Sequence, residues 1–517
     1  MINKFKTVCL TAVIASSSAT YAGGLLTNTN QHVAYNRMMS REASIGIDGV
    51  YYNPAGVVFM SQGHHLAINW QLAYQDRTIK NDYALFKNNT NDPTTPREFK
   101  GKAIAPVLPS FQYAYNKGKW SFQGNFALTG GGGKCTFDDG LGSFEKIVGE
   151  TAMGAVGLAT AVDGVAGAYG VPAVFTSPER FGTQGSYSFN SYMHGRQYYF
   201  GLSLGAAYKV NDNFSVYAGL RGVYATCNYF GYVRDIKVGN VPLYTVLDPS
   251  KKEAADIELS CDQTGIGFTP MIAVDYKIRH WNFSAKYEFK TRMRLKNKAV
   301  NTAPSIGNLG DNLRNAYIAG GVPEQAADAI LGNAVVQGAM GQLKQQFDSK
   351  LGGAIGEYED GKKIAGDIPA MLTLGVGYSP IDALRINVGF HWFDDKNATS
   401  HNNRNKKLSR GTMEYTAGLE YDVCKRLTLS TGWQNTSYGL TQEYMDDKSF
   451  VTSSNSVAVG GVVHISKKVD LNVAYFHTFY NHFKTSEKVE LAGNTLTYNS
   501  DYSRNNNVFA VGVDINF

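Results

Sequence analysis

The sequence predicts an all-β protein, a 14-stranded antiparallel transmembrane β-barrel, and three observations support this class. The 517 residues include 32 Tyr, 27 Phe and 55 Gly, and only 18% are charged, which favours strands over helical surfaces. From about residue 64 to residue 517, segments of about ten residues alternate apolar and polar positions. Short turns and long polar connections alternate between these segments, as in outer-membrane barrels.

Residues 1–22 are predicted to be a secretory signal peptide, cleaved after Ala22. Lys4 and Lys6 form its positive start, and the apolar stretch Val8–Ala15 follows. Because these lysines are its only charges, its removal lowers the formal charge from +6 to +4. So small a surplus, without a basic block, argues against a nucleic-acid partner. No later run reaches the ~18 to 20 consecutive apolar residues of a membrane-spanning helix, so the mature chain is soluble or crosses a membrane as strands.

The composition of the two faces of each segment indicates that the segments span a membrane as strands. Residues 281–292 place Trp281, Phe283, Ala285, Tyr287 and Phe289 on one face and only polar side chains on the other, and residues 384–392 and 414–421 show the same split. Strands of soluble sandwiches have about 5 to 6 residues, whereas membrane-spanning strands need about 9 to 11. The apolar faces are therefore predicted to contact lipid and the polar faces to line the lumen.

The strand count is even, as single-chain outer-membrane barrels prefer. The predicted strand centres lie near residues 69, 110, 125, 203, 221, 268, 287, 374, 389, 417, 431, 461, 475 and 511, within a barrel domain of residues 63–517. The predicted short turns begin near residues 116, 210, 278, 379, 423 and 466. The last segment, "NNVFAVGVDINF", ends with Phe517 on its apolar face and looks like a closing strand that the barrel-assembly machinery recognises.

Two long outer loops, residues 132–194 and 296–367, carry apolar segments. In the second loop, an amphipathic helix is predicted between Pro323 and Gly352, and its apolar residues are Ala326, Ile330, Met340, Leu343, Phe347 and Leu351. Helical turns are predicted in the apolar, Gly/Ala-rich part of the first loop. In one interpretation, the apolar faces pack on each other or plug the barrel mouth. In the other, they form an apolar landing groove at the cell surface, and both interpretations can hold together.

Five cations are predicted to face the lumen: Arg221, Lys286, Lys290, Arg292 and Arg385. In one interpretation, they pair with Glu288, Glu414, Glu420 or Asp514 and fix the lumen. In the other, one or two of them accept the anionic headgroup of a ligand whose tail lies among aromatic residues. The sequence does not choose between these interpretations.

The sequence predicts no enzyme, no cofactor and no metal site. No nucleophile motif is present, and His64 and His65 lack acidic or cysteine partners at metal-binding spacing. Cys227 and Cys261 lie near the outer ends of neighbouring predicted strands. They either form a disulfide in an oxidising compartment or remain two thiols on opposite faces.

The segment before the first strand contains short motifs that resemble those of a known protein family. After a leading Gly-Leu, it contains "REAS" (residues 41–44), an acidic residue at Asp48, and "NPAG" (residues 53–56). With the strand series and the terminal Phe517, this segment resembles the N-terminal hatch of the FadL/TodX (OMPP1) family, outer-membrane channels for long-chain fatty acids and related hydrophobic compounds. The resemblance covers nearly the whole mature chain.

The resemblance implies that residues 23–62 form a hatch that plugs the barrel. The hatch and gating candidates are Arg41, Asp48, Asn53, Pro54, Ala55 and Gly56. Pro54 restricts Asn53, so a stiff extended turn is predicted there, followed by a bend at Gly56. The family also implies lateral release beside a kinked strand, and the third strand is the candidate because Gly130, Gly131, Gly132 and Gly133 favour bulging.

The expected function is passive transport of long-chain fatty acids or similar elongated hydrophobic compounds across the bacterial outer membrane. The outer loops would capture the ligand, a lumen pocket gated by the hatch would hold it, and release would be lateral. The alternatives are a surface binding protein or adhesin that displays its long loops, and a general porin for polar solutes, which the plug disfavours. The expected partners are the hydrophobic ligand, outer-membrane lipid and lipopolysaccharide, and the expected state is a monomer.

Overall fold

The computed structural model describes residues 25–304, 306, 309–350, 356–491 and 493–517. The predicted signal peptide and residues 23–24 lie outside the described residues, as do Leu351 and Gly352 of the predicted loop helix.

Antiparallel strands form one closed sheet around a central lumen. In the described part of the chain, these strands are β1 (Gly63–Asp82), β2 (Arg97–Lys117), β3 (Trp120–Phe137), β4 (Tyr187–Lys209), β5 (Phe214–Val238), β6 (Val241–Pro242), β7 (Ile257–Ile278), β8 (Trp281–Glu288), β9 (Arg294–Thr302), β10 (Lys363–Ala365), β11 (Met371–Ile381), β12 (Leu384–Phe393), β13 (Thr412–Cys424), β14 (Leu427–Ser437), β15 (Ser454–His464), β16 (Val469–Tyr480), β17 (Phe483–Leu491) and β18 (Asn494–Asn516). Fourteen of them, all except β6, β9, β10 and β17, form the barrel wall, which closes where β1 pairs with both β2 and β18. Each predicted strand centre lies within one of these fourteen, so the predicted fold is confirmed.

The wall continues beyond the membrane through strand extensions. β9 follows β8 after a short interruption and pairs with β7 and β10, while β17 covers the outer part of β18 and β16 covers the rest. β5, with 25 residues, is more than twice the length that a membrane requires. Several strands are therefore much longer than the predicted ten residues.

The connections define the two ends of the barrel. At one end, short turns join β2 to β3, β4 to β5, β7 to β8, β11 to β12, β13 to β14 and β15 to β16, as predicted. The long connections lie at the opposite end. In outer-membrane barrels, the short turns are periplasmic and the long loops are extracellular.

The outer surface of the wall is apolar at membrane depth. On β8, Trp281 and Phe283 are 43% and 40% exposed, although both are large apolar side chains. Asn282, Lys286 and Glu288, which alternate with them, are buried. This inversion of the usual burial pattern is what a lipid-facing strand requires, because the solvent outside the wall is hydrocarbon.

Helices fill the lumen and cover its outer mouth. They are α1 (Val33–Met38), α2 (Gly49–Tyr52), α3 (Gly142–Ala168), α4 (Tyr244–Leu247), α5 (Leu309–Ala319), α6 (Glu324–Gly332) and α7 (Ala334–Lys350). The end of α1 lies directly against the wall, because a Cβ atom on Gly432 of β14 would be only 1.7 Å from the Met38 carbonyl oxygen. A glycine at this position is thus a steric requirement for seating α1.

Candidate functional site

Residues 25–62, called the hatch below, lie inside the barrel and are almost entirely buried. α1 contacts β13, β14, β15, β16 and β18, and α2 contacts β2 and β3. The hatch therefore touches the wall on several sides. Its polar side chains provide most of the specific contacts described next.

The first set of contacts is a buried ion cluster. Arg41 Nε lies 2.7 Å from Asp48 Oδ2 within the hatch, and Arg41 Nη1 lies 2.5 Å from Glu420 Oε2 on β13. Arg37 Nη1 lies 2.5 Å from the other Glu420 oxygen. One wall carboxylate thus contacts two hatch cations, Asp48 supplies a second negative charge, and the cluster ties the hatch to the wall. Of the predicted hatch residues, Arg41 and Asp48 belong to this cluster.

A second cluster joins Glu42 to the wall. His391 of β12 lies between two carboxylates, with Nε2 2.9 Å from Glu42 Oε1 and Nδ1 2.9 Å from Glu414 Oε2. Glu42 and Glu414 are both buried. The sequence does not predict this cluster, although His391 and Glu414 lie on the polar faces of β12 and β13 and pair in register. Among the described residues, no group of three or more His, Cys, Asp and Glu side chains is arranged to hold a metal ion.

The predicted gating turn Asn53–Gly56 is held by three strands. Asn53 Nδ2 donates to Asp275 of β7 at 2.6 Å, the Pro54 carbonyl accepts from Gln123 of β3 at 2.7 Å, and the Ala55 carbonyl accepts from Ser215 of β5 at 2.7 Å. The turn is not extended as a whole, because Ala55 is helical and Gly56 begins the short 3-10 helix Gly56–Phe59. Asn53, at ψ 66°, lies outside the helical region, as expected before proline.

Two of the predicted headgroup candidates lie against Tyr51 of α2. Arg221 Nη1 is 2.6 Å from Glu288 Oε2, and Lys286 Nζ is 2.9 Å from Glu288 Oε1. Lys286 also donates to the Tyr51 carbonyl at 2.6 Å and lies 4.1 Å from the centre of the Tyr51 ring. A ligand headgroup that reaches Lys286 must therefore displace a hatch contact.

The other three candidates lie elsewhere. Arg385 forms a double contact with Asp422 on β13, at 2.9 and 2.5 Å. Lys290 is half-exposed and donates to the Asn397 carbonyl in the outer loop after β12. The predicted lumen orientation of Arg292 is wrong: the interruption after β8 shifts the alternation, so that Thr291 and Met293 are buried while Arg292 is exposed on the outer surface.

The barrel wall contains a gap between β2 and β3. Their ladder pairs Ile104 with Lys134 and resumes only at Phe111 and Phe126. Pro106 and Pro109 lie in the unpaired part of β2 and cannot donate to a ladder. We call this unpaired region, residues 105–110 and 127–133, the wall gap.

The glycine run shapes the other side of the wall gap. The β3–β4 ladder shifts register between Leu128 and Gly130 and again between Gly131 and Gly133. Gly131 and Gly132 have φ of 68° and 129°, and a Cβ atom on Gly131 would be 2.3 Å from the Gln197 carbonyl oxygen. A side chain at Gly131 would therefore be strained as well as crowded.

The start of the hatch covers the wall gap. The Asn28 backbone N–H donates to the Thr129 carbonyl at 2.9 Å, and Asn28 Nδ2 donates to the Gly131 carbonyl at 2.7 Å. The Gln31 carbonyl accepts from Ser110 Oγ at 2.7 Å on the β2 side. Residues 27–31, called the sealing segment below, thus bridge both edges of the wall gap. The cavity left between them measures about 10 Å³, enough for a single water molecule.

Above the hatch, a group of buried apolar side chains lies on one side of the lumen, from β4 to β10. They form one buried cluster, called the lumen cluster below: Tyr199, Val223, Ala225, Cys227, Tyr229, Leu259, Cys261, Met293, Leu295, Tyr358, Ile364 and Ile368. Cys227 and Cys261 are free thiols in this one cluster, so the prediction that unpaired thiols would lie on opposite faces is wrong. The outer part of the lumen therefore favours apolar contents.

α3, α5, α6 and α7, called the cap below, lie over the outer mouth. Their apolar side chains share one buried cluster with outer strand residues such as Phe99, Phe137 and Val233, which agrees with the prediction that the apolar faces of the loops pack together. By length and composition, α3 could cross a membrane, but half of its most apolar window is buried in the protein. Asn333 is extended and divides the predicted loop helix into α6 and α7, because its side chain accepts from the Val335 N–H at 2.9 Å.

We predict that one outer segment of the protein loosens as pH rises. Burial raises the pKa of Glu357, in the short helix Gly356–Tyr358, from 4.5 to about 7. The neutral carboxyl is therefore favoured in the folded state, and the associated stability, present below pH 4.5, is lost as pH rises through 7. After correction for intrinsic rates, hydrogen exchange of residues 356–365 should be faster at pH 8 than at pH 5. The Glu357→Gln variant should lack this difference, and an equal difference in the variant would contradict the assignment.

Comparison with known proteins gives the same architecture. A crystal structure of a Pseudomonas aeruginosa FadL homologue aligns with 96% of this chain and 100% of its own, at 14% identity and a TM-score of 0.58. Structures of two TodX mutants, described as monoaromatic hydrocarbon channels, align at 14% identity. The deltaS2S3 mutant covers 94% of this chain and 99% of its own with a TM-score of 0.52, and the deltaS2 mutant covers 94% and 98% with 0.50. At this identity, the likeness shows the fold alone.

Sequence comparison identifies the family to which the chain belongs. No curated protein sequence matches the chain. The family model described as "Outer membrane protein transport protein (OMPP1/FadL/TodX)" matches residues 196–517, which is more than half of the chain. The chain therefore belongs to the OMPP1/FadL/TodX family and is a bacterial outer-membrane transport protein.

Proposed function

We propose that the protein passively transports long-chain fatty acids or similar elongated hydrophobic compounds from the cell surface into the outer membrane. The apolar lumen cluster supports this substrate class, because it would bury a hydrocarbon chain and would disfavour polar solutes. Family membership and the fold of the FadL homologue agree with it. In this proposal, residues 23–62 form the hatch domain and residues 63–517 form a monomeric barrel.

The proposed route runs from the cap to the wall gap. The ligand enters at the cap, its tail lies against the lumen cluster, and it leaves sideways through the wall gap once the sealing segment withdraws. The observation that carries this route is the β2–β3 interruption covered by hatch residues rather than by strand pairing. Straight passage to the periplasm is blocked by the buried contacts of the hatch.

Lateral release is energetically reasonable. Each buried CH₂ is stabilised by about 0.8 kcal/mol relative to water, so an acyl chain is more stable moving from the lumen to the bilayer than entering the periplasm. Opening the wall gap requires the sealing segment to lose a few hydrogen bonds, each with a net contribution of about 0.5–1.5 kcal/mol. Withdrawal of the sealing segment is thus far less costly than parting a continuous strand ladder.

Headgroup binding and release are linked through α2 in this proposal. Tyr51 contacts Lys286, and the adjacent Tyr52 hydroxyl donates to the Thr29 carbonyl at 2.7 Å and accepts from the Gln31 N–H at 2.9 Å. A carboxylate that takes the place of the Tyr51 carbonyl at Lys286 would move α2 and, through Tyr52, the sealing segment. Lys286, assisted by Arg221, is therefore our candidate for headgroup recognition.

Filling the wall gap tests the route. Leu108 and Leu128 line the cavity and are buried. In the Leu108→Trp, Leu128→Trp double variant, uptake of a labelled long-chain fatty acid should fall close to the background of cells without the protein. The matched control, Leu202→Trp with Leu204→Trp, changes two lipid-facing positions on β4 and should transport normally. Normal uptake by the filled variant, with normal barrel folding on a gel, would overturn lateral release.

Cells with and without the protein test the function itself. Expression should increase fatty-acid uptake in cells that lack other transporters of this kind. Equal uptake, combined with retained binding of a macromolecule at the cell surface, would instead favour the adhesin alternative. This outcome differs from failure of the route alone, in which uptake depends on the protein but not on the wall gap.

A further inference from the structure

A row of cations lies on the outer surface of β9 and the residues before it. Because the alternation shifts after Phe289, Thr291, Met293 and Leu295 are buried, while every second residue from Arg292 to Lys298 is exposed. These exposed residues are Arg292, Arg294, Lys296 and Lys298, and Lys363 of β10 pairs in register with Lys296 and is also exposed. We call these five residues the cationic stripe.

The cationic stripe begins where the lipid-facing band ends. On neighbouring β7, Phe268 and Ile266 are 61% and 65% exposed, and the next outward residues are Thr264 and Asp262. The β7–β9 ladder pairs Thr264 with Lys296 and Asp262 with Lys298. The cations therefore lie at the height of lipid headgroups, at the extracellular end of the barrel.

The cationic stripe has a surplus of positive charge. Arg294 contacts Asp367 at 2.9 Å. Within the described part of the chain, Arg292, Lys296, Lys298 and Lys363 have no carboxylate within 4.0 Å, although Asp262 and Asp360 lie nearby. Asp262 already accepts from Asn228 at 2.8 Å, and Asp360 from the Ala299 N–H at 2.9 Å. Adjacent like charges on one strand face repel each other unless an anion lies between them.

The outward face of β1 and β2 provides a contrast within the same molecule. Its cations Lys80, Lys100 and Lys102 are interspersed with Asp76 and Glu98. Lys80 pairs in register with Glu98, Lys102 pairs with Asp76, and Lys100 forms an ion pair with Glu98 at 3.4 Å. Charges of opposite sign therefore face each other on this pair of strands. In the cationic stripe, Asp262 faces Lys298 in register, whereas Lys296 faces Thr264 and Lys363, so positive charge is in excess.

We propose that the cationic stripe binds the phosphate groups of a lipid A-type glycolipid of the outer leaflet. Arginine binds phosphate through two parallel hydrogen bonds, and lysine does so as a point charge. The acyl chains of the same lipid would lie on Ile266, Phe268 and Ile272, the apolar residues just below the cations. This site lies outside the lumen and does not depend on the transported ligand.

The test compares two variants with the same loss of charge. The stripe variant replaces Arg292, Lys296, Lys298 and Lys363 by glutamine and leaves the Arg294–Asp367 pair intact. The control variant replaces Lys425, Arg426, Lys467 and Lys468 by glutamine in the periplasmic turns, on the side of the other leaflet. Heat-modifiable migration on gels would show that both barrels are folded. Binding of purified lipid A to each folded protein in detergent would then be measured by native mass spectrometry.

We expect the wild-type and control proteins to bind lipid A, and the stripe variant to bind it about tenfold or more weakly, since several charge-assisted hydrogen bonds are lost. Dephosphorylated lipid A should bind all three proteins as weakly as lipid A binds the stripe variant. Millimolar inorganic phosphate should not displace lipid A from the wild type. The proposal would be overturned if the stripe variant bound lipid A as tightly as the wild type. It would also be overturned if the wild type bound dephosphorylated lipid A as tightly as lipid A, or if inorganic phosphate displaced lipid A. Capture of a protein partner by the stripe in place of lipid A would also overturn it.

Discussion

Replacing Glu420 by glutamine is expected to release the hatch without preventing barrel assembly. Glu420 contacts both Arg37 and Arg41, and all three side chains are buried. Removing the shared carboxylate of such a buried ion cluster costs about 3–5 kcal/mol, because Arg37 loses its carboxylate partner and Arg41 keeps only Asp48. The cost falls on the docked hatch, since β13 keeps its backbone ladder with β12 and β14. The population of the displaced hatch should therefore rise by more than about a hundredfold.

Conductance measurements in planar bilayers would detect this release. The wild-type barrel should be closed to ions, whereas the Glu420→Gln variant should show frequent openings, and cells that carry it should become sensitive to large hydrophilic antibiotics. Glu443→Gln, the same substitution at an exposed loop position, should behave like the wild type. A closed Glu420→Gln barrel would show that the ion cluster does not hold the hatch.

The combined substitutions Asn53→Leu and Pro54→Ala are expected to reduce fatty-acid uptake several-fold while the barrel assembles normally. Asn53 fixes the end of α2 to Asp275, and α2 carries Tyr51 and Tyr52, the side chains that link Lys286 to the sealing segment. Loss of the Asn53 amide leaves a buried carboxylate without one of its donors, at a cost of about 1–3 kcal/mol. The linkage between headgroup binding and opening of the wall gap should weaken accordingly.

Initial uptake rates at equal surface abundance would measure this effect. Asn91→Leu with Pro93→Ala makes the same chemical changes in an exposed outer connection and serves as the control. If the hatch double variant transports at the wild-type rate, the Asn53–Gly56 turn is only a linker into β1.

The strands were predictable because the two faces of each strand lie in different environments. Lipid on one side and the packed lumen on the other impose an alternation that continues through Trp281–Glu288 without error. The alternation fails at Lys290 and Thr291, where the chain leaves the ladder for a few residues and resumes in the opposite phase. Nothing local in the sequence marks this interruption, so the alternation predicts the lumen face for Arg292 instead of the outer face.

The site was less predictable because its contacts join distant parts of the chain. The polar faces of β12 and β13 place His391 opposite Glu414, but the insertion of Glu42 beside them depends on how deeply the hatch enters the lumen. The wall gap had two local signs. The glycine run on β3 predicts a bulge there. The prolines on β2, which remove ladder donors on the facing edge, are a second local sign on which the prediction does not rest.

The ion cluster also constrains the order in which the molecule can be built. Arg37 and Arg41 are separated from Glu420 by 383 and 379 positions along the chain. The N-terminal segment therefore leaves the export machinery long before its counter-charge exists in a folded wall. It must stay hydrated in the periplasm until β13 and β14 are in place. Docking of the hatch is therefore expected late in folding, after the part of the wall that carries Glu420 has formed.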